Sequence, residues 1–182
     1  VFQYNEYRLR KVSEDDLKQL LDLKNESWFD THQVSILNRE DQDRWFKSLD
    51  SHPHSPRNLV LIFEYKDHQN IGVFKFSNID WVNRTADVAW DIFSAFRRQG
   101  HGKSLVKAGC AFGFQILNLR RLNAEILETN IPSMKCAQEA GFIREGTKRE
   151  AVHKMGKYID SHMFGLLVSQ FDHMVSTSTE GV

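Results

Sequence analysis

Cysteine, proline and net charge are all scarce in this sequence. Its 182 residues include 2 Cys, at Cys110 and Cys136, and 3 Pro. Two thiols so far apart build neither a disulfide framework nor a thiolate metal cage, and free thiols suit a reducing compartment. So little proline excludes a proline-rich linker or a collagen-like repeat. Lys+Arg 24 balance Asp+Glu 24, a formal net charge of +0. That balance argues against a chain that coats nucleic acid or membrane surfaces, since both select an excess of Lys and Arg. Long hydrophobic runs are missing too. A stretch such as Leu59-Val60-Leu61-Ile62-Phe63 falls far short of the ~20 apolar residues of a membrane helix. The first ten residues are mixed and charged, without the apolar stretch of a signal peptide. The expectation is a cytoplasmic domain with no nucleic-acid partner and no membrane partner.

What is present reads as globular: 41% hydrophobic and 26% charged residues, at a length that fits one core. We expect a single domain over 1–175 and a frayed Ser/Thr/Gly-rich tail over 176–182. His52 and His54 flank a proline with no third ligand at metal-binding spacing. No metal site is expected.

Periodicity sets the order of elements. Residues 7–12 alternate as a strand. Ser13 and Asp16 form a capping-box variant ahead of the stripe Leu17, Leu20, Leu21, Leu23. A second cap at Asn38 precedes Trp45, Phe46 and Leu49. Residues 58–65 and 71–76 read as a hairpin, 85–93 as a further strand, 102–117 as the strongest helix and 122–127 as a buried strand. Pro132 suits the first position of a helix that Gly141 ends. Residues 142–152 and 158–167 close a hairpin around Met155-Gly156. The order β-α-α-β-β-β-α-β-α-β-β is α/β (α+β mixed), a mixed sheet with helices packed on it.

The chemistry concentrates in Arg97-Arg98-Gln99-Gly100-His101-Gly102-Lys103-Ser104, a glycine-containing loop that opens the strongest helix. The first backbone N–H groups of a helix have no intrahelical partner, and its dipole adds positive potential there. Gly100 and Gly102 permit close approach, Arg97, Arg98 and Lys103 supply cations, and Ser104 a hydroxyl. Such a site suits a pyrophosphate. It is neither a P-loop, for lack of G-x-x-x-x-G-K-[ST], nor a dinucleotide fingerprint. A helix start that happens to be basic is the plain alternative.

The R-x-x-G-x-G pattern of Arg97, Gly100 and Gly102 follows the strand ending at Ile92-Phe93. After it come the strand Leu122-Asn-Ala-Glu-Ile-Leu127, Asn130-Ile-Pro-Ser133 and Ala140-Gly-Phe142, and then Glu145-Gly-Thr-Lys-Arg-Glu150 with Gly156-Lys-Tyr-Ile-Asp160. Together these resemble the Gcn5-related N-acetyltransferase (GNAT) superfamily. The closer likeness is to its RimJ/RimL-type branch, which includes spermidine and amino-sugar-nucleotide acetyltransferases. The resemblance runs from Tyr7 to about Leu167. It implies a mostly antiparallel mixed sheet of about seven strands, flanked by about four helices and splayed or bulged at the acetyl-CoA site.

The resemblance also implies acetyl-CoA as donor and a primary amine as acceptor, with no metal. Backbone groups near Trp90 to Phe93, with Ile92 and Phe93 foremost, would hold the pantetheine and polarise the thioester carbonyl, the loop from Arg97 through Ser104 the pyrophosphate, and Asn130 the pantetheine or simply its own turn. An alkyl ammonium must lose a proton before it attacks a thioester, and a carboxylate acting directly or through water can take it. Glu125, five positions before Asn130, is the candidate; the alternative is that it faces solvent or pairs with Arg120 or Arg121. Asp87 and Asp91 are runners-up. Ser133 fits the N-x-x-S pattern near the sulfur, or is a first-turn serine. The position where many relatives carry an acidic Tyr is Ala137 here. Cys136 has no His/Asn constellation and reads as a buried thiol.

The acceptor groove would be built from the first helices and the final hairpin, bringing in Asn25, Trp28, Trp81, Asp87 and Tyr158, with Trp45 and Asp160 nearby. The first-helix segments favour an amino sugar or nucleotide-linked amino sugar, with a RimJ/RimL-type protein N-terminus as the alternative. A non-catalytic acyl-CoA-binding module is the reading from another class. A monomer or homodimer is expected.

Overall fold

The structure is a computed structural model that describes residues 1–33, 36–49 and 54–172. The tail 176–182 and His52 fall outside the described residues. In chain order the elements are β1 (Phe2–Tyr4), β2 (Tyr7–Lys11), α1 (Leu17–Ser27), α2 (Arg39–Ser48), β3 (Leu59–Tyr65), β4 (Gln69–Asp80) and β5 (Thr85–Ile92). Then follow α3 (His101–Ala111), β6 (Arg121–Leu127), α4 (Ile131–Glu139), β7 (Ile143–Lys154) and β8 (Lys157–Leu167). The strands form one 8-stranded sheet in the order β1-β2-β3-β4-β5-β6-β8-β7.

The helix starts follow their caps. Ser13 and Asp16 form a capping box on the short 3-10 turn Glu14–Asp16 that leads into α1. Asn38 accepts from the Asp41 N–H in a second box at α2. Asn130 caps α4, which puts Ile131 first and Pro132 second, one place later than expected. Gly141, at φ 93, ends that helix. Both residues of the Met155-Gly156 turn take positive φ (46° and 78°), as a two-residue hairpin turn requires.

One expectation is sharpened and another corrected. The sheet expected to have about seven strands has eight, because Phe2–Tyr4 pairs with β2 across a tight turn at Asn5, whose φ is 53°. The strongest helix does not run to Leu117 as one α-helix. It ends at Ala111 and continues as a π-helical turn over Phe112–Ile116, where the Leu117 N–H donates to the Phe112 carbonyl.

The sheet is buried on both faces at its centre. Leu61 and Phe63 of β3, with Phe74 and Phe76 of β4, pack under Leu105, Val106 and Ala108 of α3. Val60, Ile62 and Val73 point the other way, under Leu20 and Leu23 of α1. Gly109 sets the distance of α3 from the sheet, since a Cβ there would lie 2.3 Å from the Phe74 ring.

One junction differs from all the others. β5 and β6 are parallel and share only the pairs Thr85↔Arg121, Ala86↔Leu122 and Asp87↔Asn123. Beyond them β5 continues to Ile92 and β6 to Leu127 without pairing to each other, so the sheet splits there. β5 stays on β4 to the pair Gly72↔Ile92, and β6 stays on β8 to the pair Leu127↔Ser161. The splay expected from the resemblance is this split.

Candidate active site

The Phe93 N–H donates to the Ile71 carbonyl at 3.0 Å. Because N–H directions alternate along a strand, the main-chain groups of Trp90 and Ile92 face away from β4, toward the split. The Ile92 carbonyl accepts from Arg97 Nε at 2.9 Å. Trp90 lines the cleft, and its buried indole Nε1 has no hydrogen-bond partner among the described residues.

At one end of the split lies the start of α3. Gly100 is its N-cap, in the left-handed region at φ 87°, and Arg98 before it has φ 62°. The N–H groups of the first turn, from His101 to Lys103, have no intrahelical partner and point out of the helix. Of the three expected cations, Arg97 is turned back onto β5, 3.2 Å from Asp91 Oδ1 as well as on Ile92. Lys103 stands 3.8 Å from Glu139. Arg98 is exposed and has no side-chain partner among the described residues. Gln99 donates to the Ala95 carbonyl. The His101 ring packs by Tyr65 and meets the Tyr7 hydroxyl at 3.2 Å, so its ring belongs to the sheet side. Gly102 has a packing role, since a Cβ there would sit 2.9 Å from Cys136 Sγ. Lys107, one helical turn past Lys103, is a cation the sequence reading passed over. Burial, then the charge of Lys103, holds its pKa below the usual lysine range.

At the deep end stand the two residues expected to be catalytic. Glu125 and Ser133 line one cleft, with Asp30, Thr31, His32, Trp90 and Asn130. Glu125 does not pair with Arg120 or Arg121. Lys148 Nζ donates to its Oε2 at 2.6 Å, and His32 Nε2 lies 3.4 Å from its Oε1. Arg121 sits four residues back along the strand, ~13 Å away at strand rise, and pairs with Glu145 instead. Burial alone would push the Glu125 carboxyl up. Hydrogen bonds from Lys148 and Ser161 and the charges of Lys148 and His32 outweigh it, so its pKa is lowered. Ser133 is in the first turn of α4, its N–H held by Asn130 Oδ1 at 3.2 Å. Asn130 Nδ2 reaches the Asp30 carbonyl at 3.2 Å, tying the segment that carries His32 to the cleft. Ala137 is fully buried in the core, so no acid reaches the sulfur from there.

The expected acceptor residues divide. Asp87, held by Asn78 and Asn123, lies at the root of the split on the same face as Glu125. Trp28 neighbours the cleft through its carbonyl, which accepts from Lys154. Asn25 is a structural clamp, its amide exchanging two bonds with the Leu37 backbone. Trp81 is not brought to the split. It lies in the β4–β5 turn at the opposite end of β5, with its Nε1 on the Pro56 carbonyl. Tyr158 is near the tip of the β7–β8 hairpin, exposed and against His153. Among the described residues no cluster of three His, Cys, Asp or Glu could hold a metal, and both cysteines are free.

A profile of the acetyltransferase (GNAT) domain matches residues 7–143. The chain belongs to the GNAT acetyltransferase family. An uncharacterised N-acetyltransferase of Bacillus licheniformis, p20, is 32% identical over 114 residues, 63% of this chain; the match spans only 64% of p20. The spermidine N(1)-acetyltransferase of Vibrio cholerae is 23% identical over 90% of this chain and 94% of its own. The ribosomal-protein-serine acetyltransferase of Escherichia coli is 24% identical over 88% and 92%. These last two names fall in the GNAT branch anticipated from the motifs. The crystal structure of the Vibrio enzyme with CoA and spermine superimposes at a TM-score of 0.81, with 21% identity, over 92% of this chain and 99% of that one. The shared GNAT fold is what that superposition shows.

Proposed function

We propose that this GNAT protein transfers the acetyl group of acetyl-CoA to a primary amine at the Glu125 end of the β5–β6 split. The observation that carries the reading is the split itself. It joins an open helix N-terminus, the main-chain groups of Trp90 and Ile92 that face away from β4 and an unpaired buried indole N–H to a carboxylate and a serine in one cleft. The open N–H groups of α3, with Arg98 and Lys103, would hold the pyrophosphate. The N–H groups facing the split would take the pantetheine and the thioester carbonyl. Glu125 marks the end of the cleft where the incoming ammonium must lose its proton, and Ser133 stands on the sulfur side.

The acceptor class follows from charge. Lys148 sits on Glu125, and Lys75, opposite Ala89 in the ladder, shares the same face with Lys24 nearby. Burial, then the charge of Lys75, pushes the Lys24 pKa down to about 8, and burial lowers the Lys75 pKa against the opposing charge of Asp91. With Lys148 on Glu125 and these lysines beside Asp87 and Asp91, the flank is not the dense acidic cluster that a polycation selects, which favours an amino sugar or a peptide N-terminus over a spermidine-like acceptor. The named relatives offer no amino-sugar precedent, so the two classes are to be measured side by side.

Thiol release from acetyl-CoA with an amino sugar, a nucleotide-linked amino sugar, a serine- or alanine-terminated peptide and spermidine tests this. Turnover is expected with one of the first three and weakest with spermidine. CoA binding without turnover on any amine would instead identify a binding module. In the same assay Arg98→Ala is expected to raise the dissociation constant for CoA about tenfold, as for one lost charge-assisted hydrogen bond, with the thermal midpoint unchanged. Unchanged affinity on titration would remove Arg98 from the phosphate site. Mass by light scattering decides the monomer-or-dimer expectation.

A further inference from the structure

His32 stands in the same cleft as Glu125, on a segment that neither helix periodicity nor a motif singles out. Three contacts hold that segment. Lys154 Nζ donates to the Trp28 and Gln33 carbonyls on either side of it, and Asn130 Nδ2 donates to the Asp30 carbonyl. On the imidazole, Nε2 lies 3.4 Å from Glu125 Oε1 and 3.2 Å from Ser161 Oγ. Nδ1 has no hydrogen-bond partner among the described residues. A ring whose Nε2–H points at a carboxylate is held in the tautomer that leaves the Nδ1 lone pair open.

Glu125 is less suited to receive a proton directly. One of its oxygens is occupied by the Lys148 ammonium at 2.6 Å and the other faces the imidazole. The bonds that hold Glu125 stabilise its ionised form, so they oppose protonation. From this geometry we propose that His32 is the catalytic base of the acetyl transfer, taking the ammonium proton on Nδ1, with Glu125 as its positioning residue. This rests on the acetyltransferase reading above.

The atoms balance as follows. R–NH3+ gives one proton to His32 Nδ1, leaving R–NH2 and an imidazolium paired with Glu125. The nitrogen lone pair forms the N–C bond at the thioester carbonyl, and the C–S bond breaks with its pair on sulfur. The second nitrogen proton goes to that thiolate, on the side where Ser133 stands, giving CoA thiol and the amide. The imidazolium then releases its proton to solvent. The charged and titratable groups facing the ring are Glu125 from β6 with Lys148 of β7 behind it, Ser161 from β8, Asp30 on its own segment and Lys154 of β7, whose ammonium holds that segment.

The test is His32→Gln, with His32→Ala for rescue, in the full chain. The kcat of His32→Gln is expected to fall ~100-fold or more, while CoA affinity and the thermal midpoint stay at the wild-type values. The acidic limb of the kcat/KM–pH profile is expected to disappear, and added imidazole to restore part of the activity of His32→Ala. An unchanged kcat, or a lowered kcat with the acidic limb in place and no imidazole rescue, overturns the assignment. A wild-type protein that turns over no amine overturns the acetyltransferase reading and this proposal together. A working wild type with an unaffected His32→Gln overturns this proposal alone.

Discussion

Replacing Arg10 by Met should cost about 3–5 kcal/mol of folding stability, the range for breaking a buried ion pair from one side. Arg10 is the hub between β2, β3 and the start of α1. Its Nη1 and Nη2 donate to the two oxygens of Asp16 at 2.7 Å each. Its Nε donates to Glu64 Oε1 at 2.6 Å, and Nη2 also reaches Asn70 Oδ1 at 3.0 Å. Asp16 and Glu64 are 2% and 4% exposed, so water cannot replace the guanidinium. Asp16 keeps its bonds to Ser13 and Asn70, and Glu64 keeps Arg8, which places the loss inside that range rather than above it.

The loss carries a sign with pH. Burial by itself would raise the Asp16 pKa. The hydrogen bonds from Arg10 and Ser13 and the charge of Arg10 overcome that, and the pKa is lowered. A carboxylate with a depressed folded-state pKa adds stability that is present above its unfolded pKa, ~3.9, and lost as pH falls through the folded value. Without Arg10, burial has less to oppose it, and that contribution shrinks. The gap between wild type and Arg10→Met is therefore widest near neutral pH and narrows on acidification. Urea melts at several pH values measure it. A gap that is constant with pH, or below 1 kcal/mol at neutrality, would show that the network behaves as a surface pair.

Glu125→Gln should lower kcat about a hundredfold, as for loss of a group that assists proton transfer, and leave the fold intact. Its side chain is partly exposed and Lys148, its partner, is more so, so solvent takes up the freed ammonium and the melting temperature should hardly move. CoA affinity should hold as well, since the phosphate end of the split is made by other residues. With His32 as the base, the acidic limb of the pH–rate profile persists in this variant. If Glu125 itself receives the proton, the limb vanishes in this variant. A kcat within threefold of wild type would exclude Glu125 from proton transfer.

Local signals in the sequence located most of the fold. The caps at Ser13 and Asn38, Gly141 and the Met155-Gly156 turn act within a few residues and appear where expected. The strand Phe2–Tyr4 was missed because three residues carry too little alternation to read, and only the Asn5 turn marks it. The π-turn after Ala111 was hidden because its apolar spacing continues that of α3, and only the tertiary fit of Gly113 under Phe76 separates them. At the site, Glu125 and Ser133 were legible through motifs, and the structure puts them in one cleft. Lys148 and His32 were not. One reaches Glu125 from β7 across β8 and the other from a loop about ninety residues earlier, and no local spacing encodes either meeting. Trp81 was misplaced for the same reason: proximity in composition is not proximity in register.

The short parallel seam also bears on how the chain holds together. On one side of it β1 to β5 form a ribbon of antiparallel neighbours, and on the other β6 to β8 form a second. Short loops close β1 on β2, β3 on β4, β4 on β5 and β7 on β8 at little entropic cost, while β2 reaches β3 through α1 and α2, and β6 reaches β7 through α4. The two are stitched by three register pairs, with α3 lying on β4 and β5 and against α4. Under the proposed acetyl transfer, a cofactor lying along the split would take the place of the missing rungs and act as a rivet as well as a reagent. Bound at a hundred times its dissociation constant, it adds about 2.7 kcal/mol to the unfolding free energy. Each departure of the spent cofactor would then leave the two ribbons joined by their shortest seam.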